Sequence, residues 1–564
     1  MLTKSASAGT VANFLAGITK LQNNVFSEQL PVPGVNLVAV KKVLVVRHAL
    51  CMMYPSLVPL ERIRCIKTRP VLIQKSICNP CGQHKDVSVH ENGPHCTWLY
   101  ESQNINILQT CLGSKTTMIE ITPDMTPMDY FAAGWCIGNS SCEWKLCFYG
   151  RILLDCIQML HAGIKHSTSP PDKKSCELYI GQGIMYSDAK TQEELCDLLA
   201  VNFDVVKVRY YCTRDYYSQS ELKTLSDQLF GSSLACLIEK SSHLKEVELV
   251  STQGPPQLGY FCTEDSRLDT ESVEVQQILK ALLSNKFIER LKLVSVQEVK
   301  EVTNMLKQMK HTLTHLSIQH SNAIQKFNML EPLCYSDSKL VYLDLTGTNL
   351  GNTDINTRLL LKKTTTLETL ILEECQLHSS MYVIAEALKT NQSLRTLDLS
   401  GNSFYHWCYS QVCKLAEMLR VNKTLQVLRL YDCGLSQDET TTLFQVFTRN
   451  QNSTLQTLNL SDNNYSIKHL GKMLNSNTCL QCVEITVTPF SAGMLAYVGK
   501  DETLDFVCKV IVSAMNKNTT LQHLIIHTLT GYDLKSNLSQ CQNHDKVKDR
   551  IQIVQSDYSD DCCW

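Results

Sequence analysis

The chain has almost no net charge, since 53 lysines and arginines stand against 55 aspartates and glutamates in 564 residues. Holding a nucleic-acid backbone or an anionic membrane through bulk charge requires a basic excess, so no specific nucleic acid and no membrane partner is expected. Long apolar runs are missing too. No stretch approaches the ~18 apolar residues of a membrane span, and Met1 to Asn24 lacks the unbroken apolar core of a secretory signal; a soluble, cytoplasmic chain is expected. Also missing is the loop G-x-x-x-x-G-K-[ST], whose backbone amides wrap phosphates. The nearest approach, Leu112 to Thr117 (LGSKTT), has Ser114 in place of the second glycine and Gln109 in place of the first, so no nucleotide is expected.

One phrase recurs instead: LVYLDL, LETLIL, LRTLDL, LQVLRL, LQTLNL and LQCVEI, starting at Leu340, Leu367, Leu394, Leu425, Leu455 and Leu480. The steps are 27, 27, 31, 30 and 25, the period of a strand-plus-helix unit that stacks on its neighbours. Leucines at positions one, four and six of L-x-x-L-x-L turn inward from a short strand, and the residues between them face solvent. Each repeat carries a second apolar set at helical spacing, such as Val412, Leu415, Ala416 and Leu419. The fold expected is an α/β solenoid, a ribonuclease-inhibitor-like leucine-rich-repeat horseshoe with inner parallel strands and outer helices. A helical N-terminal region precedes it.

Along the chain, residues 1–128 read as helical, with an irregular loop at 76–96. Helical periodicity resumes through Leu99, Ile105, Leu108 and Leu112. Residues 129–249 read as degenerate repeats, with strands at 144–148, 205–210 and 244–249 and helices at 191–201 and 219–240. Regular repeats fill 250–535 and end with the strand LQHLII from Leu521; 536–564 is polar and expected to be a mobile tail. The 26 cysteines are scattered, with no disulfide framework expected. Several belong to the repeat, because position nine is Cys375, Asn402, Cys433 and Asn463. Side chains there turn inward and bond the backbone of the bend.

Residues 121–149 carry a Pro-x-Asp-x-Phe-x-x-Gly-Trp-Cys-Ile pattern (Pro127, Asp129, Phe131, Gly134, Trp135, Cys136, Ile137), followed by Trp144 and Leu146. This resembles the lead-in to the repeats of animal NLR proteins, the NACHT and leucine-rich-repeat family. NFLAGITKL (Asn13 to Leu21) and WLYESQN look like helical stretches upstream of the repeats in that family. The resemblance covers the family's C-terminal half and not its nucleotide-binding domain. It implies a non-enzymatic interaction protein of innate immune recognition or its regulation, either a regulator or a fragment of a full-length relative.

Three signals compete with that reading. Cys78, Cys81 and Cys96, with His84, His90 or His95, have the makings of a four-ligand zinc site, although their spacing matches no standard finger. A loop without metal is the plainer expectation, so no cofactor is assigned. KKVLVVRHA (Lys41 to Ala49) resembles the Arg-His-Gly strand of histidine phosphatases, but Ala49 replaces the glycine and His48 reads as a helix residue. No catalytic residue is expected. Asn391, Asn422, Asn452 and Asn518 each begin an Asn-x-Ser/Thr triplet just before a first leucine, which points to a structural role rather than glycosylation. Asn is expected to end the helix near a left-handed conformation.

What is left is the concave face. Positions five, seven and eight include Asp344, Glu373, Glu374, Asp398, Asp432, Asp462 and Glu484, with Arg429 the only lysine or arginine there between Leu340 and Ile485. Tyr431, beside Arg429, is a suitable anchor, because Tyr and Arg are enriched in binding hot spots. Ten strands ~4.8 Å apart give a surface suited to a protein, by charge a basic one, and too open for a small substrate. An alternative expectation is a leucine-rich-repeat inhibitor of a basic enzyme or a cytoskeletal regulator.

Overall fold

The computed structural model describes residues 94–556, apart from 113–115, 168–172, 182–187, 213–232, 252–272, 295–299, 321–330, 335–336, 349, 351–353, 378–379, 403–408, 488–499 and 530–533. The chain divides into two compact units, one of residues 1–177 with 201–203 and the other of 178–200 with 204–564. His48, Cys78, Cys81, His84 and His90 lie outside the described residues, as does the side chain of His95.

In the first unit, WLYESQNINILQTCL does not form one helix. Pro94–Ser102 and Ile105–Leu112 are separate helices, broken where Gln103 takes a positive φ of 48°. Leu99, Leu108 and Leu112 are buried, whereas Ile105 is displaced to the surface. The first helix also corrects the loop expected up to residue 96, since Cys96 is helical, buried, and near enough for its carbonyl to accept from the Cys136 thiol at 3.6 Å.

The following strands are β1 (Thr117–Ile121) and β2 (Trp144–Phe148), paired in parallel. Parallel strands therefore begin about one unit earlier than the sequence suggests, within the region 1–128 read as helical with an irregular loop. Between these strands runs the helix Pro127–Asn139. Thr126 opens it by accepting the Asp129 amide while the Asp129 carboxylate accepts from the Thr126 N–H, a reciprocal cap. This helix packs directly on Leu154–Lys165 through glycines. A Cβ on Gly134 would lie 2.1 Å from the Leu160 carbonyl oxygen, and one on Gly163 would lie 2.1 Å from that of Phe131.

Strand β3 (Lys174–Ile180) spans the division between the units. In the second unit the strands are β4 (Phe203–Cys212), β5 (Glu246–Ser251), β6 (Arg290–Val294), β7 (His315–Gln319), β8 (Tyr342–Asp344), β9 (Thr369–Ile371), β10 (Thr396–Asp398), β11 (Val427–Arg429), β12 (Thr457–Asn459), β13 (Cys482–Val487), β14 (His523–Leu529) and β15 (Ile551–Ser556). They lie in sequence order, each parallel to the next, with helices between them: an α/β leucine-rich-repeat solenoid of ribonuclease-inhibitor-like type. One core row reads Val208, Val247, Leu291, Leu316, Leu343, Leu370, Leu397, Leu428, Leu458, Val483 and Leu524. Burying each such side chain stabilises the fold by roughly 1.5–3 kcal/mol.

Two expectations about the second unit change. LQHLII is not the last strand, because β15 pairs with β14, and the helix Leu534–Gln540 buries Leu534 and Leu538. The segment expected to be a mobile tail thus adds one more unit. The reason is Arg550, whose guanidinium donates to the carbonyls of Met515 (3.0 Å), Asn518 (2.8 Å) and Leu521, holding the chain against the end of the helix Lys500–Lys517. The sequon asparagines are also not left-handed; none of them has a positive φ, and the equivalent Asn477 is extended (φ −74°, ψ 137°).

Candidate interaction surface

Strand pairing sets the face opposite the helices. Position five forms the row Arg209, Glu248, Lys292, Ser317, Asp344, Ile371, Asp398, Arg429, Asn459 and Glu484, and position three forms Lys207, Glu246, Arg290, His315 and Tyr342. Parallel in-register strands bring like positions side by side, so charge along these rows decides what the face attracts.

The expected acidic residues are not equivalent. Asp344 is buried and fully engaged: Ser317 Oγ (3.0 Å) and Gln319 Nε2 (2.6 Å) donate to one carboxylate oxygen, and the Thr346 amide (3.0 Å) and hydroxyl (2.7 Å) donate to the other. Asp398 is buried too, accepting from the Ser400 amide at 3.0 Å and pairing with Arg429 at 3.4 Å. Glu484 accepts from Asn459 at 2.8 Å and lies 3.8 Å from His527. Asp344 and Asp398 are supports of the bend and Glu484 is engaged by neighbouring side chains, which corrects the expectation that position five is exposed throughout.

The remaining four differ. Glu373 is half-buried, Glu374 and Asp432 are exposed, and Asp462 is partly exposed. Glu374, Asp432 and Asp462 sit at positive φ (54°, 45° and 55°) in the bends after β9, β11 and β12. Among the described residues none of the four carboxylates has a lysine or arginine within ion-pair distance. Partial burial, reinforced by Asp398, Glu374 and Asp344, pushes the Glu373 carboxyl above its ordinary range. Although Asp432 as a residue is exposed, partial desolvation of its carboxyl, together with Asp462 and Glu374, does the same there. Tyr431 is partly exposed beside them, and its carbonyl accepts the Gly401 amide at 2.8 Å.

A second feature escaped sequence reasoning. On β4 to β6, Lys207 bonds Glu246 and Glu248 at 2.6 Å each, Arg209 grips the other oxygen of Glu248, and Arg290 lies 3.7 Å from Glu246. The Arg209 guanidinium also stands over the Tyr179 ring, 5.3 Å from its centroid. Burial favours protonation of Glu248, but the bonds from Arg209 and Lys207 outweigh it and hold its carboxyl below the usual range. His315 and Tyr342 then stack, 5.5 Å apart, between this compensated stretch and the acidic one. The signal was present as alternating charges in KEVELV and ERLKLV, but uneven spacing hid the shared register.

The position-nine thiols donate inward, Cys375 to the Leu345 carbonyl (3.0 Å) and Cys433 to that of Leu399 (3.3 Å). Burial raises the pKa of both thiols, so neither is a nucleophile at neutral pH. Among the described residues no three His, Cys, Asp or Glu side chains are grouped to hold a metal, and no helix is long and apolar enough to cross a membrane.

No family model matches the chain. It is similar in fold to the C-terminal domain of a Caenorhabditis elegans tropomodulin, at 16% identity over 30% of this chain and 96% of that one, with a TM-score of 0.23. Leiomodin-1 actin-binding site 2 is similar at 18% identity over 29% of this chain and 89% of that one, with a TM-score of 0.22. A chain of the yeast Rad7 and Elc1 complex aligns at 9% identity over 93% of this chain and 98% of that one, with a TM-score of 0.35. Likeness at these levels assigns no family and no residue role.

Proposed function

We propose that this protein is a non-enzymatic interaction module that takes a basic protein surface on the strand face of β9 to β12. The observation that carries the reading is the set Glu373, Glu374, Asp432 and Asp462, four carboxylates without a basic partner among the described residues, two of them with raised pKa values. A lysine- or arginine-rich partner relieves this repulsion, and Tyr431 and Arg429 supply an anchor beside it. Asp344 and Asp398 hold the neighbouring bends after β8 and β10.

The lead-in resemblance to NLR proteins supports a place in innate immune recognition or its regulation, in the cytoplasm. A second reading is favoured by the same acidic face: leucine-rich-repeat inhibitors of basic nucleases present one, so inhibition of a basic enzyme, or cytoskeletal regulation, uses the same geometry. Affinity capture with the whole chain separates the two. Recovery of immune adaptors supports the first, and recovery of a basic enzyme or actin supports the second. Capture that is unchanged by Glu374→Lys, Asp432→Lys and Asp462→Lys together removes the face from both.

A further inference from the structure

The repeat builds another surface where the chain runs into each strand. There a groove of about 380 Å3 crosses β11 to β13, lined by Gln426, Gln456, Gln481, Lys423, Ser453 and Thr454 among others. The three glutamines occupy the same position just before adjacent strands, as shown by the Gln456 backbone N–H donating to the Gln426 backbone carbonyl at 2.7 Å and the Gln481 backbone N–H to that of Gln456 at 2.7 Å.

Beside the glutamines a periodic hydrogen bond is interrupted. The residue before each first leucine donates to the carbonyl of the preceding repeat's asparagine: Thr424 to Asn391 (3.3 Å), Cys479 to Asn452 (3.2 Å), Thr520 to Asn477 (3.3 Å). Thr454 is the exception within this run. Its hydroxyl oxygen is sealed from solvent and has no hydrogen-bond partner, and an unpaired buried hydroxyl is costly to keep. The lining has no carboxylate, and its single cation, Lys423, is exposed with no ion pair among the described residues. The three glutamine amides offer both donors and acceptors, and the uncompensated Lys423 ammonium, beside a hydroxyl with no acceptor, turns the balance of the groove toward an anionic ligand.

We propose that this groove binds an acidic peptide segment, with its carboxylates held by Lys423, by the amides of Gln426, Gln456 and Gln481, and by the Thr454 hydroxyl after rotation about its χ1. The site is separate from the acidic strand face and stands or falls without it. Fluorescence anisotropy of the whole chain with labelled (Gly-Glu)5 and (Gly-Gln)5 tests it. Saturable binding of (Gly-Glu)5 is expected, about tenfold tighter than that of (Gly-Gln)5, with Lys423→Glu weakening it about tenfold and Thr454→Val about threefold. Thr454→Val is also expected to raise the unfolding midpoint, because it removes a polar atom that has no partner in the free protein. Equal affinity for the two peptides, an unchanged affinity in a folded Lys423→Glu protein, or a lowered midpoint in Thr454→Val overturns the proposal.

Discussion

Single asparagines govern how the repeat is joined. Asn391, Asn422, Asn452, Asn477 and Asn518 are buried, and each side-chain amide donates to a carbonyl of the preceding repeat's helix. Asn452 shows the pattern: Nδ2 donates to Leu419 at 2.6 Å, and Oδ1 accepts the amides of Thr454 and Leu455 at 3.0 and 2.8 Å. Asn452→Ala leaves these backbone groups unpaired and should cost about 2–4 kcal/mol in urea unfolding. Four of these asparagines were recognisable by their fixed place before each leucine, but that place does not reveal backbone angle, so the left-handed expectation failed. Glu373 adds a pH dependence. Its folded-state pKa is raised, so the folded form binds more protons than the unfolded form as pH passes through the carboxylate range, and stability falls as pH rises through it. Glu373→Gln should therefore raise the unfolding midpoint by about 1 °C at neutral pH, with the gain vanishing below the unfolded pKa of roughly 4.

Elements fail to announce themselves in sequence when their apolar pattern is short. Strands β2, β4 and β5 were visible from their alternation, whereas β15 was not. Its Ile551, Ile553 and Val554 follow a run of charged residues and lack the repeat's leucines, and the contact that fixes it comes from Arg550. Arg550→Ala should cost about 1–3 kcal/mol and accelerate amide exchange in Ile551–Ser556 without disturbing exchange in β9 to β12. The glycines in the first unit are likewise silent in sequence, because nothing in the text shows that two helix backbones touch. Gly134→Ala should destabilise the protein by about 2 kcal/mol, since the new methyl meets the Leu160 carbonyl at 2.1 Å, and a thermal melt reads the loss directly.

Over the whole second unit, the strand face changes character along its length. On β4 to β6, Lys207, Arg209 and Arg290 pair with Glu246 and Glu248, while on β9 to β12, among the described residues, the open carboxylates have only Arg429 nearby, and it is paired with Asp398. The acidic residues themselves were readable from the phrase between the leucines. Which of them are open was not, because that depends on hydrogen bonds from the neighbouring repeat, such as Ser317 and Gln319 to Asp344. The most direct test is the dissociation constant of the captured partner for the whole chain and for the Glu374→Lys, Asp432→Lys, Asp462→Lys variant, with circular dichroism confirming that both are folded. A loss of about a hundredfold or more, with weaker salt dependence in the variant, is predicted. An affinity within about threefold of the parent protein contradicts the account.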